Sequence, residues 1–398
     1  MRRLRLLLAL SLAVPVHAAV LVEGEGAFSG LPALPPSAIS ASLAPALTSP
    51  SLLSAPISSE KPLAPNVAPA AAAPAAAAPA AAPVAAPAAA VPRGEETARL
   101  RALFSRLDAQ FPLPDGSPTA AVRARVRGQL LSAAREYAEP EADLLETVAS
   151  ESDRALVRIQ SRLDAGEIDP TRGVRLSQDD PPVSEETHAR IGVYPVAADP
   201  FQWGHLLVAL RAVGELGVDK VVFVLAGDDP RKPAMTPVAN RHPMGREVLA
   251  LFSPFFAYSP IAVGTTLDGE TNIFRILALN PERRVDAWYM VGDDHYRLVD
   301  KNGNPDTLPK LEANFARPLG HSPTLHALKV AFIRREGISG SITTPLDVKF
   351  LDNVGFDASS TQVRGGRHAL MPHAAYDYAR RNMPGLYNLP TDDDGSGQ

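Results

Sequence analysis

Residues 188–390 predict an α/β domain with a parallel sheet and helices on both faces. Three observations carry that expectation. Short, continuously apolar runs alternate with stretches of helical periodicity; the alternation begins again after each turn; and the Gly-, Asp- and Ser-containing polar elements follow the apolar runs. Parallel strands joined by helical crossovers follow from that order, and they place a binding crevice at the strand C-terminal ends.

The elements read in chain order. Ile191 to Val196 is a buried strand and Leu206 to Leu216 a helix. Val221 to Leu225 is the second strand, and Arg241 to Phe252 a helix. Phe256 to Val263 is a third apolar run, followed by a helix from Asn272 to Leu279 and a strand from Asp286 to Val291. Ala327 to Ile333 is a further strand. The Gly-, Asn- and Pro-rich stretch from Asp300 to Thr324 reads as a surface loop.

Upstream, residues 95–168 carry three amphipathic helical patterns. Leu100, Leu103, Phe104 and Leu107 form the first face; Val122, Val126, Leu130 and Leu131 the second; Leu144, Leu145, Val148, Leu156, Ile159 and Leu163 the third. The run Pro112-Leu113-Pro114-Asp115-Gly116 and Pro140 separate them. This region either packs on the α/β domain or serves as a separate interaction module. Residues 19–93 are dominated by Ala, Pro, Ser and Leu, with an Ala/Pro tract at 68–92 that cannot build a core and reads as a disordered, extended linker. Residues 391–398 read as a disordered tail.

The first eighteen residues read as a signal peptide. Met1-Arg2-Arg3-Leu4-Arg5 is basic, Leu6 to Val16 is apolar, and Val16-His17-Ala18 places small residues where a signal peptidase reads. The expectation is export to the periplasm or beyond, with no membrane association after removal, and a cytoplasmic protein if the signal is unused. The chain of 398 residues has no cysteine, which excludes disulfides, thiolate metal sites and thiol nucleophiles. Its net charge of −5, without a basic face, excludes a general nucleic-acid binder.

Four elements carry chemistry. Asp199-Pro200-Phe201-Gln202-Trp203-Gly204-His205 leaves the first strand and opens the first helix, whose N-terminal N–H groups suit a phosphate. Gly204 allows close backbone approach, and His205 sits in the first turn; the same histidine is also compatible with a capping role. Gly227-Asp228-Asp229-Pro230-Arg231-Lys232, continued by Pro237, Arg241 and Met244, places Lys232 and Arg241 where a second anion could be held, or as solvated surface charge. Gly292-Asp293-Asp294 ends the fourth strand, where a carboxylate can accept from ribose hydroxyls or simply form a turn. Ser359-Ser360-Thr361-Gln362-Val363-Arg364 combines hydroxyls at a helix start with an arginine one turn on, fit for triphosphate oxygens or for plain N-capping.

In this order the Asp-Pro-x-x-x-Gly-His, Gly-x-Asp and Ser-Ser-Thr-x-x-Arg elements resemble the nucleotidylyl transferase superfamily, with its Rossmann-like sheet and His/Thr-x-Gly-His motif. Gly227-Asp228 with Lys232, Pro237, Arg241 and Met244 is similar to the nicotinamide/nicotinate mononucleotide adenylyltransferases, as is the tail through Pro372, Tyr376, Tyr378 and Leu386-Tyr387. The resemblance implies transfer of AMP from ATP to a mononucleotide, with pyrophosphate leaving. It implies that Gly204, His205, Gly292, Asp294, Ser359, Ser360, Thr361 and Arg364 bind ATP, with His205, Gln202 and Arg364 as the catalytic group. Lys232 and Arg241 would hold the mononucleotide. Mg²⁺ would accompany ATP, no protein-bound metal is implied, and a homo-oligomer is expected because family members commonly form one.

The sequence departs from the family in three places. Val196 and Ala198 stand where the first loop usually carries glycine, Gln202 stands for the first His/Thr, and the strand following Phe256 lacks a Trp. Two other functions stay open. One is a related enzyme with another acceptor such as phosphopantetheine, suggested by Tyr194-Pro195. The other is an exported, catalytically weak nucleotide-binding or interaction module.

Overall fold

A computed structural model describes residues 93–137, 141–183, 188–230, 232–265, 269–296, 306–317, 319–334 and 344–389. The signal peptide (1–18), the linker (19–93, except its last residue) and the tail (391–398) lie outside the described residues, so nothing tests those expectations.

Helix α4 (Trp203–Ala212) organises the molecule. Its run Leu206-Leu207-Val208-Ala209-Leu210 is apolar all round and buried throughout, so a helix on a sheet is not enough; it needs cover on its outer side as well. One side lies on the sheet. The other is covered by α3 (Ala142–Asp164), behind which pack α1 (Arg93–Gln110) and α2 (Pro118–Glu136), and the apolar faces of all three share one continuous core with it. Ser117 caps α2 by accepting from Ala120 N (3.1 Å), with Pro118 at the first helical position. The helical region is therefore part of the domain's wall, not a separate module. Tyr137, fully buried, donates to Met371 O (3.0 Å) and ties α2 to the C-terminal elements.

The sheet has six parallel strands: β1 (Ala189–Val196), β2 (Lys220–Leu225), β3 (Phe256–Ser259), β4 (Val285–Gly292), β5 (His326–Ile333) and β6 (Asp347–Leu351). Their spatial order is β3-β2-β1-β4-β5-β6. The order reverses between β1 and β4, so the fold is Rossmann-like and opens its crevice beyond the C-terminal ends of those two strands. Helices α4, α5 (Val238–Ala250), α8 (Ser360–Arg364) and α9 (His373–Asn382) pack on the α1–α3 side. Helices α6 (Gly269–Ala278) and α7 (Thr307–Ala316) pack through Ile273, Phe274, Leu308 and Leu311 on the opposite face.

Three expectations are corrected. The supposed loop 300–324 contains α7, which exists because Leu308 and Leu311 bury against the sheet. The run 256–263 is strand only to Ser259, since Pro260 has no N–H to continue a ladder. Strand β6 was not anticipated.

Because α3 and the sheet share one core, Leu156→Ala in α3 is expected to cost the whole domain about 2–5 kcal/mol. Denaturation followed by circular dichroism and by tryptophan fluorescence should give coincident, equally shifted transitions. A separate early transition confined to the helices would contradict the shared core.

Candidate active site

At the switch point lies a cavity of about 540 Å³, within the size range of small-molecule sites. Tyr194 from the end of β1, Gln202, Gly204 and His205 from the start of α4, Ile333 from the end of β5, and residues 353–359 line it. The two ends of the chain's chemistry, the Gly-His turn and the Ser-Ser-Thr segment, thus meet in one place.

The entry to α4 is shaped by reciprocal capping. Gln202 Oε1 accepts from Gly204 N (2.7 Å), and His205 Nδ1 accepts from Gln202 N at the long distance of 3.4 Å. A Cβ at position 204 would collide with the Gln202 amide, which accounts for glycine there. With Nδ1 accepting, the neutral His205 ring carries its proton on Nε2. The half-buried ring is met edge-on by Tyr194 and Phe201, with centroids at 6.3 and 6.0 Å.

The segment 352–364 is laced to this turn. Gln202 Nε2 donates to Ala358 O (3.1 Å), and Ser360 Oγ donates to Pro200 O (2.9 Å). Ser359 caps α8, accepting from Gln362 N (3.2 Å) while its own N–H reaches Gln362 Oε1 (2.9 Å). Arg364 donates to Asp199 O (2.5 Å) and to Thr361 Oγ1 (3.1 Å), and lies 3.6 Å from the Asp199 carboxylate. Its side chain, 40 % exposed, therefore stands beside the Asp-Pro turn.

Of the expected ATP residues, Gly204, His205 and Ser359 line the cavity, as does Gln202 of the expected catalytic group. The Gln202 amide is already engaged at both its oxygen and its nitrogen. Ser360, Thr361 and Arg364 do not line the cavity; they follow Ser359 in α8, with their side chains bound within the protein. Gly292 and Asp294 do not line it; Gly292 pairs in register with Ile333, which does, and Asp294 is exposed just beyond β4. Lys232 is exposed on the β2–α5 loop.

Arg241 is placed otherwise than expected. It is fully buried, and it donates to Thr236 O (3.0 Å), Ala197 O (3.0 Å), Ala226 O (2.7 Å) and Gly227 O (3.2 Å). Four of its hydrogen bonds tie the loops after β1 and β2 together, so it works as a strut rather than as a group offered to a mononucleotide phosphate. Burial lowers its pKa below the usual arginine value. Gly227 fits the same crossing because a Cβ there would strike the carbonyl oxygens of Ala262 and Thr265.

Several residues that the sequence reading named without a role of their own gain one in the structure. Asp199 is buried, with Tyr387 Oη donating to Oδ1 (2.9 Å) and Thr236 N to Oδ2 (3.2 Å). Tyr387 is held at φ +60°, and burial raises its phenol pKa strongly. Ala198 sits at φ +49°, a left-handed conformation that glycine adopts without cost. The cavity wall Asn353 to Ala358 could have been suspected from its position directly before Ser359.

No family model matches the chain. In sequence it is similar to proteins named "Probable nicotinate-nucleotide adenylyltransferase". Identity is 34% over 79 residues with that of Thermoanaerobacter sp. (strain X514), covering 20% of this chain and 37% of the relative. With that of Thermus thermophilus it is 32% over 114 residues, covering 28% of this chain and 59% of the relative. The chain thus spans between about a third and three fifths of these relatives. Solved structures of the Plasmodium falciparum nicotinic acid mononucleotide adenylyltransferase, complexed with APC and with NaAD, align over 51% of this chain and 99% of theirs. Their TM-scores are 0.35 and 0.37, at 14% and 13% identity.

Two outcomes follow from the loop struts. Arg241→Met takes a donor from four loop carbonyls, of which those of Thr236 and Gly227 belong to buried residues, and should destabilise the fold by about 3 kcal/mol or more, read as a shift in urea midpoint. In its neutral form His242 donates from Nε2 to Ala226 O (3.0 Å) and accepts at Nδ1 from Tyr258 Oη (2.7 Å). Burial lowers its pKa from 6.5. The folded state then binds fewer protons than the unfolded one just below that value, so stability is full above about pH 6.5 and falls as pH drops toward the folded pKa. Urea midpoints at pH 7.5, 6.0 and 5.0 should show that decline, and His242→Gln should flatten it.

Proposed function

We propose that this domain is a nucleotidyltransferase that moves AMP from ATP to the phosphate of a mononucleotide, nicotinate or nicotinamide mononucleotide, releasing pyrophosphate. One observation supports the reading above all: a single cavity at the strand-order switch gathers the Gly204-His205 turn and the Ser359 helix start. The sequence relatives named above point the same way.

In this reading an acceptor phosphate oxygen attacks the α-phosphorus of ATP, and the bond from that phosphorus to the bridging oxygen breaks, with the electron pair leaving on pyrophosphate. No covalent enzyme intermediate is needed, so positioning and charge stabilisation are the catalyst's whole task. The N–H groups opening α4 and the proton on His205 Nε2 meet the phosphates. Arg364 turns from Asp199 toward the leaving group, and Ser359, Ser360 and Thr361 supply hydroxyls. Magnesium would enter with ATP as part of the substrate and would offset the charge of its phosphates. Lys232 is assigned to the acceptor's phosphate.

A second reading is a nucleotide-binding protein with little turnover. It is favoured by Ala198 in the left-handed region and by the Gln202 amide, already spent on Gly204 and Ala358.

Pyrophosphate release should be measured with ATP, Mg²⁺ and each of nicotinate mononucleotide, nicotinamide mononucleotide and phosphopantetheine. The expected result is turnover with a pyridine mononucleotide, and a loss of about 10²–10³ in kcat for His205→Ala. Calorimetric ATP binding without turnover favours the second reading. Turnover with phosphopantetheine alone reassigns the acceptor, and neither binding nor turnover removes both readings.

A further inference from the structure

We infer that Arg211 is a positioning residue for the candidate active site, and that Glu151 of α3 holds it in place. Through this pair the α1–α3 layer fixes the cavity wall.

Helix α4 carries His205 in its first turn and Arg211 in its last, about 9 Å further along the axis at 1.5 Å per residue. Arg211 Nη1 donates to two carbonyls at the exit of β6, Asp352 O (2.9 Å) and Asn353 O (2.7 Å). Its Nη2 donates to the Glu151 carboxylate. The Arg211 and Glu151 side chains are only 20% and 10% exposed. A planar guanidinium can serve a carboxylate and two carbonyls at once, which a lysine ammonium on a flexible stem does less well.

The consequence lies in what those carbonyls begin. At the far end of the same segment, Gln202 Nε2 holds Ala358 O (3.1 Å) and Ser360 Oγ holds Pro200 O (2.9 Å). Residues 354–357, which line the cavity, are thus a short span pinned at both ends to one helix. The first pin is set by the catalytic turn itself. The second is Arg211, which does not line the cavity and is aimed by Glu151 from a different layer. Cutting it removes the polar pin at that end of the wall while the packing of Val354 in the core stays.

The same layer also secures the end of α4 independently. Arg158 pairs with Glu215, and Arg162 donates to Gly214 O, in the π-helical turn Val213–Gly217 where helix carbonyls lack partners. Arg211 is therefore not needed to keep α4 in place, and its role can be separated from helix docking.

The structural part of this inference stands on geometry alone; its kinetic consequence rests on the proposed adenylyl transfer. Full-length wild type, Arg211→Met, Arg211→Lys and Glu151→Gln should be compared by amide hydrogen exchange without ligand, then by steady-state kinetics with ATP. Losing the two carbonyl bonds should speed exchange of the Val354 amide, which donates to Asn353 Oδ1 (2.9 Å), about tenfold in Arg211→Met, with β1 and β4 near wild type. Glu151→Gln should act in the same direction to a smaller degree, and Arg211→Lys should recover part of the protection. In kinetics, KM for ATP should rise about tenfold with kcat within about twofold, the pattern of lost uniform binding. Unchanged exchange at the Val354 amide in Arg211→Met overturns the inference, as does faster exchange spread evenly through the sheet. If Arg211→Met fails to fold, Arg211→Lys and Glu151→Gln decide by the same exchange readout. A wild type without turnover removes the adenylyl-transfer reading, and the exchange comparison still decides the positioning.

Discussion

Helix α4 has apolar residues on both its faces, and burying both at once constrains nearly everything else. A run such as Leu206 to Leu210 cannot border water without losing about 1.5–3 kcal/mol for each large side chain left exposed. The sheet covers one side, so a second layer must cover the other, and α1–α3 supply it. A helix clamped between two layers presents its N-terminus at a fixed height above β1. The Gly204-His205 turn therefore sits on packed elements rather than on a free loop, which is what a site that works by positioning requires.

Three arginines show how local carbonyls decide the fate of a guanidinium. Arg241 is surrounded by loop carbonyls on every side and is consumed as a strut. Arg211 divides its donors between a carboxylate and two carbonyls, joining layers. Arg364 meets Asp199 and Thr361 but keeps two fifths of its side chain exposed. In sequence all three are a charge on or near a helix. Only the number of acceptors within reach separates them.

That contrast marks what was legible beforehand. Strands β1, β2, β4 and β5 were legible because strands buried on both faces read as continuous apolar runs. The Gly-His turn was legible as chemistry because it follows a strand, and the Ser-Ser-Thr segment because hydroxyls at a helix start precede an arginine one turn on. Strand β6 was missed, since Asp347-Val348-Lys349-Phe350-Leu351 is a charged edge strand whose signal is only a weak alternation. Helix α7 was hidden by the Gly, Asn and Pro around it. The Asp199–Tyr387 and Glu151–Arg211 contacts join residues far apart in sequence, and no local pattern encodes them. Ala198 was noticed as a non-glycine, but its left-handed backbone was not readable from its name.

The account turns on where a nucleotide lodges. A structure of the chain soaked with a non-hydrolysable ATP analogue and Mg²⁺ tests this most directly. The predicted result is a triphosphate between His205 Nε2 and the Ser359–Arg364 segment, with Arg364 turned away from Asp199. A nucleotide found in another cavity, or triphosphate density on the far side of the sheet from His205, would contradict the account and leave the fold without this site.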